Sequence, residues 1–169
     1  WKERRLRSFS TAGALRWSVG VSSLREPQFA VRLNATTLLV AGERGQARAL
    51  VAPGPGQAPQ EERPLSVPRG SRRLDDMEVV HDTLALYSVT PVLPSGAHVP
   101  ALHVVEPLGG RSVLSFFEPN LSVAVDSIAH IVGGIQSSMR GDTIATVFSP
   151  LDTIYLHTLD GVELARIPL

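Results

Sequence analysis

RGDTIATVFSPLDTIYLHTLDGVELARIPL, residues Arg140 to Leu169, reads as three short strands joined by two turns. Asp160-Gly161 lies between apolar, β-prone runs, which favours a two-residue type I′ hairpin, because both central residues of that turn take positive φ. The run before it, Thr153–Thr158, is rich in β-branched and aromatic residues, which suit a pleated, half-buried surface. Val162–Ile167 follows, first alternating apolar and charged, and Pro168 ends it because proline has no amide to give a ladder. Thr143–Phe148 is almost continuously apolar, the pattern of a strand covered on both faces. Ser149–Asp152 is the loop between them.

Working outward, the same units recur. Trp1 to Phe9 leads into a turn at Thr11-Ala12-Gly13 and a return strand at Ala14–Val19. Phe29–Leu33, Thr37–Ala41 and Ala47–Val51 read as strands, with turns at Asn34-Ala35 and Gly42–Gly45; asparagine tolerates left-handed φ. Pro53–Pro64 is rich in Pro and Gly and reads as a loop, with pairing resuming over Leu65–Val67. Pro68–Arg73 is a basic connector. Met77–Val80, a turn at His81-Asp82 and Thr83–Ser88 form the next hairpin, and Pro91–Pro100 is a long loop. Ala101–Glu106 and Arg111–Phe117 flank a Gly109-Gly110 turn. Leu121–Ile135 reads as strand rather than helix because Val and Ile are frequent in it.

TTLLVAG, DTLALYS and DTIATVF align as buried strands, and glycine turns fall near Gly13, Gly54–Gly56, Gly109 and Gly161, in steps of about 42, 54 and 52 residues. A period of roughly 40–50 residues built from four short strands is the pattern of propeller blades. A four-stranded blade buries both faces only between neighbours, which accounts for the continuous apolar runs. The expected fold is therefore all-β, a single domain over residues 1–169 holding a β-propeller fragment of about three and a half four-stranded antiparallel blades. The alternative is a β-sandwich or barrel.

DTIYLHTLDGVELARIPL resembles the closing strands of a blade in bacterial six-bladed β-propeller proteins of the TolB-like and NHL-like group; FSTAGALRWSVG and AVRLNATTLLVAG are similar in kind. The units are a trailing hairpin (1–19) and blades at 20–67, 74–118 and 120–169. That is too few to close the usual ring, so a piece of a longer protein is expected. Otherwise an open sheet edge needs the missing chain or a partner to cover it. The resemblance implies a non-enzymatic module for a protein, peptide or glycan ligand, in a periplasmic or cell-envelope setting. It also admits an enzyme of lactonase or hydrolase type whose metal site is incomplete in this segment.

Composition narrows the classes. There is no cysteine, which excludes disulfides and thiolate metal sites. No apolar run approaches the ~20 residues of a transmembrane helix. Net charge is zero, yet residues 1–73 carry 13 basic and 5 acidic side chains, while residues 74–169 carry 3 and 11. The arginines are spread through strands, and aromatics make up only 5% of the chain. Nucleic acid is therefore not an expected partner.

No GxSxG, HExxH or Walker A motif occurs, so no catalytic residue, cofactor or metal is assigned. His98 and His103 fall in a loop and a strand, and neither is expected to ligate metal. Asp75-Asp76-x-Glu78 could seat a divalent cation or simply balance Arg72 and Arg73. Sequons occur at Asn34 and Asn120, with meaning only in a secreted eukaryotic protein. Propeller sites lie on rim loops held by rigid blades. The expected rim comprises Gly42–Gln46, Val89–Pro100 and Ser149–Asp152, with connectors Arg25–Gln28, Arg69–Asp76 and Pro119–Asp126. Within it Arg25, Arg44, Arg72, Arg73, Asp75, Asp76 and His98 are the expected ligand contacts.

Overall fold

Alternation along a strand sends successive side chains to opposite faces, so a strand apolar at every position needs cover on both. The computed structural model meets that demand by stacking sheets. It describes residues 5–21, 23–24, 27–42, 46–68, 71–91, 100–119 and 134–169, the side chains of 71–73, 91 and 150 excepted. Sheet 1 is the hairpin β1 (Arg5–Phe9) and β2 (Leu15–Gly20). Sheet 2 holds β3 (Pro27–Arg32), β4 (Thr37–Gly42), β5 (Ala47–Val51) and β6 (Glu61–Pro64). Sheet 3 holds β7 (Ser71–His81), β8 (Leu84–Pro91), β9 (Leu102–Glu106) and β10 (Arg111–Phe116). Sheet 4 holds β11 (Ile135–Arg140), β12 (Thr143–Phe148), β13 (Thr153–Thr158) and β14 (Glu163–Pro168). Every sheet is an antiparallel meander in chain order, and the only helical element among the described residues is a 3-10 turn at Ser149–Leu151.

The second strands of sheets 2 and 3 show the two-sided burial, whereas Thr143–Phe148, expected to be covered on both faces, is buried on one face only. On β4, Leu38 and Val40 pack toward sheet 1 with Leu6, Val19, Val21 and Leu24, while Leu39 and Ala41 pack toward sheet 3. On β8, Ala85, Tyr87 and Val89 meet sheet 2, and Leu86 meets sheet 4 with Leu102, Phe116, Ile144 and Phe148. Each fully buried side chain of this size contributes roughly 1.5–3 kcal/mol. The far face of sheet 4, including Val147, Ile154, Leu156 and Ile167, stays partly exposed, and no described sheet covers it. The three aligned runs of the sequence are thus β4, β8 and β12, and the glycine turns join the last two strands of each sheet.

Those turns differ from the type I′ expectation. At β13–β14 the Gly161 amide donates to the Thr158 carbonyl at 3.0 Å, and Gly161 alone takes positive φ, at 87°. This is a three-residue loop, a type I turn followed by a left-handed glycine. Asp160 is therefore an ordinary turn residue, because the extra loop residue shifts the left-handed requirement onto one position. The β1–β2 turn repeats the device: the Gly13 amide donates to Ser10 at 2.9 Å with φ 81°. In both, the hydroxyl at the turn's start (Ser10, Thr158) accepts the amide four residues on, from Ala14 or Val162, at 3.0 Å. Gly56 and Gly110, also at positive φ, occupy the counterpart loops of sheets 2 and 3.

Other boundaries also shift. The fourth strand of sheet 2 is Glu61–Pro64, not Leu65–Val67; its four residues are exposed, so no apolar pattern marks it. Ser71–Arg73, read as connector, begin the long β7. The first strand of sheet 4 is Ile135–Arg140, whose polar IQSSMR hides a strand. Most of the Leu121–Ile135 expectation lies outside the described residues.

The two left-handed glycines differ in surroundings, which gives a graded test. A Cβ on Gly161 would meet Phe116 side-chain atoms at 3.0 Å, while one on Gly13 meets nothing within 4 Å. Gly13→Ala should cost about 1–2 kcal/mol from φ alone, and Gly161→Ala should cost more. Urea unfolding of both variants checks this, and equal losses would refute the Phe116 contact.

Candidate functional site

An edge strand presents unpaired amides along its open side. In β11 alternate amides face β12, and those of Ile135, Ser137 and Met139 face away from it. These three donate to the carboxylates of Asp75, Asp76 and Glu78 on β7, at 3.3, 3.1 and 3.0 Å. Neighbouring residues of a strand normally point to opposite faces, yet Asp75 and Asp76 serve the same edge. The β7–β8 register slips between Leu74 and Asp76, a bulge that re-aims Asp75. Asp75 also accepts from the Thr90 hydroxyl, and Asp76 from the Met77 amide at 2.8 Å. Beside them the buried hydroxyls of Ser88 and Ser137 lie 2.6 Å apart, bridging sheets 3 and 4.

Asp75 and Asp76, expected as ligand contacts, thus tie β7 to β11. Burial pushes the Glu78 carboxyl above its ordinary range; the Met139 amide partly offsets this, and the neighbouring Asp76 adds to it. Among the described residues no group of three or more His, Asp and Glu side chains is placed to hold a metal ion. Arg25, Arg44 and His98 lie outside the described residues, and for Arg72 and Arg73 only the backbone, on β7, is described. His103 is engaged at both ring nitrogens, by the Ser115 hydroxyl at 2.8 Å and the Pro100 carbonyl at 3.0 Å. Asn34, of the first sequon, locks the β3–β4 turn: its side chain accepts from the Thr36 amide and donates to the Asp82 carbonyl on the β7–β8 turn, both at 3.1 Å.

His157 is the buried titratable group of sheet 4. Phe116, Phe117 and Tyr155 surround its ring, with centroids 5.6, 5.2 and 6.5 Å away. Its Nδ1 has no hydrogen-bond partner. Phe117 takes φ 59°, which breaks strand alternation and lets consecutive phenylalanines pack on one sheet. Burial lowers the His157 pKa, opposed by Glu163 and assisted by Arg166; burial also lowers that of His103, opposed by the Pro100 carbonyl.

One concave feature lies at the opposite end of the strands from the expected rim. A cleft of about 420 Å³ opens between sheet 1 and sheet 2, beside the β3–β4 turn and the β5–β6 loop. Arg7, Arg16 and Arg32 line it together with Phe9 and Trp17, and no Asp or Glu among the described residues does. Arg32 donates to the Asn34 and Ala35 carbonyls at 3.1 and 3.2 Å, so its charge is fixed at the mouth. Sequence reasoning missed these residues because β1, β2, β3 and the loop meet only in the fold; the basic N-terminal half was the available clue. Comparison of the chain with protein-family models and with curated protein sequences finds no match.

Two outcomes follow from the buried polar groups. Asp76→Ala strands the Ser137 and Met77 amides and should cost about 1–3 kcal/mol; Asp76→Asn keeps an acceptor oxygen and should cost less. Chemical denaturation decides, and no difference between the two would sink the amide-capping role. With pH, a histidine whose folded pKa lies below its ordinary 6.5 leaves stability intact above that value. Stability is lost as pH falls from there toward the lowered folded pKa. Glu78 acts oppositely: its raised pKa gives a stabilising effect that is full below its ordinary 4.5 and lost as pH rises through the folded value. His157→Leu should therefore flatten the decline in melting temperature below pH 6.5, and an unchanged profile would contradict it.

Proposed function

We propose that the chain forms part of a β-propeller acting as a non-enzymatic binding module for a protein, peptide or glycan. The observation that carries this reading is the mutual packing of first strands: β7 lies against β3 and against β11. A two-layer sandwich leaves each sheet one wet face, whereas sheets 2 and 3 are covered on both. Stacked meanders whose first strands converge are the arrangement of blades about an axis.

Binding rather than catalysis is favoured by how the inner-strand acids are used. A lactonase or hydrolase on such a scaffold needs a metal or acid cluster with contributions from several inner strands. Here the inner-strand carboxylates among the described residues, Asp75, Asp76 and Glu78, sit on β7, and each accepts an amide of β11. No helix of the described residues is long and apolar enough to cross a membrane.

Thermal melts with and without EDTA should superimpose, and lactone and ester substrates should show no turnover with added calcium or zinc. A melt lowered by several degrees in EDTA, or turnover that EDTA abolishes, would overturn the non-enzymatic reading.

A further inference from the structure

The seam between sheets 3 and 4 has two walls, each a four-stranded sheet, and its two sides close differently. On the first-strand side the carboxylates of Asp75, Asp76 and Glu78 take three amides of β11, with the Ser88–Ser137 hydroxyl pair beside them. On the outer side the closure is a packed aromatic group. Phe116 and Phe117, at the end of β10, lie against Tyr155 and His157 of β13, with ring centroids 4.8 to 5.6 Å apart. Two features of that group are costly. His157 is 2% exposed, and its Nδ1 has no hydrogen-bond partner. Phe117 holds φ at 59°, a region that disfavours bulky side chains, and so places its ring beside that of Phe116 in the seam.

We propose that the outer closure is an acid-released latch: in mild acid sheet 4 swings about its first strand, β11, which stays bound to β7, and uncovers Phe116, Phe117 and Tyr155. An imidazolium carries a donor on both nitrogens, so protonation sets a charged donor at the buried Nδ1 with no acceptor, a costly way to bury a polar group. The groups around His157 do not offset this. On β14, Glu163 already accepts two bonds from Arg166, at 2.7 and 3.0 Å, and the Arg166 charge opposes a second cation. Aromatic faces attract cations, but Arg166 already lies over the Tyr155 ring, 5.6 Å from its centroid. On β12, paired to His157 through Ile144, Thr143–Phe148 holds no charged residue. Asp160, on the turn beyond β13, is taken by the Thr158 hydroxyl. From sheet 3 the two phenylalanines face the imidazole, and Glu118 beyond them is exposed. Opening lets His157 carry its charge in water and lets Phe117 leave the left-handed region. The direction agrees with the lowered pKa that burial gives His157: the closed form is fully favoured above the ordinary 6.5 and loses ground as pH falls from there. The first-strand side does not loosen with it, because Glu78, with its raised pKa, contributes more as pH falls. The latch does not rest on the binding-module reading.

Anilinonaphthalene sulfonate binds apolar surface uncovered in a compact protein. Its fluorescence with the native chain should rise by about three- to tenfold between about pH 7.5 and 5.5, roughly tenfold being the ceiling for one group of ordinary pKa 6.5 over that interval. Hydrogen exchange at the Ile135, Ser137 and Met139 amides, corrected for its intrinsic pH dependence, should stay unchanged. His157→Leu and His157→Gln should abolish the rise, while His103→Gln, at the other buried histidine, should keep it. In NMR spectra of the native chain, the contact between the Phe117 and His157 rings should weaken along the His157 titration. No rise in dye fluorescence, or a rise that survives both His157 variants, overturns the latch. A rise accompanied by lost protection at the three β11 amides also overturns it, since the whole seam then opens. A His157 titration that leaves the ring contact intact overturns it whether or not the variants fold.

Discussion

A four-stranded meander with apolar side chains on both faces must be covered twice, and the rest of this structure follows from that demand. Sheet 3 shows it most fully. Met77, Ala85 and Tyr87 close against sheet 2, and Leu86, Leu102 and Phe116 close against sheet 4. Neither cluster forms without the neighbouring sheet, so the stack coheres through its interfaces rather than through one central core. Tyr87 marks the cost of such tight cover. Its hydroxyl is buried without a hydrogen-bond partner, and burial drives its phenol pKa upward.

Stacking brings the first strands together and creates a second problem, the open edge of β11. The answer is chemical rather than topological. Carboxylates of Asp75, Asp76 and Glu78 take the amides that a further strand would otherwise take. A carboxylate accepting backbone amides forms strong, charge-assisted bonds, but it must first leave water. Burial and the neighbouring Asp76 act against the Met139 amide at Glu78 and hold its carboxyl above the ordinary range. The bulge at Asp75 gives it a further partner, the Thr90 hydroxyl.

Much of this was legible where apolar patterning is strong. β4, β8 and β12 stand in the sequence as TTLLVAG, DTLALYS and DTIATVF; two-sided burial holds for β4 and β8, while β12, with the same apolar run, is covered on one face only. The likeness of FSTAGALR and HTLDGVEL proved deeper than spacing, since the serine or threonine and the glycine perform the same bonds in both turns. What escaped reading were the polar strands, EERP, SRR and IQSSMR. They lie at edges or first positions, where backbone pairing, and at β11 the carboxylates of β7, hold the chain with little or no apolar pattern to mark it. Asp75 and Asp76 were noticed as chemistry, but their role depends on a bulge and on a strand about 60 residues away, neither of which spacing can reveal.

The same layering explains why open space lies where it does. Sheet 1 contributes two strands against a sheet of four. Its apolar contacts, through Leu6 and Val19, reach Leu38, Val40 and Leu50 on β4 and β5. Ala30 and Arg32 on β3 are left facing a gap. The gap's charge is set by local sequence. Arg32 is pinned by two turn carbonyls, and that turn is tied through Asn34 to sheet 3. A side chain that could collapse across the gap is instead held at its mouth. Rigid turns at the ends of stacked sheets thus hold a basic side chain at the rim of a partly apolar recess.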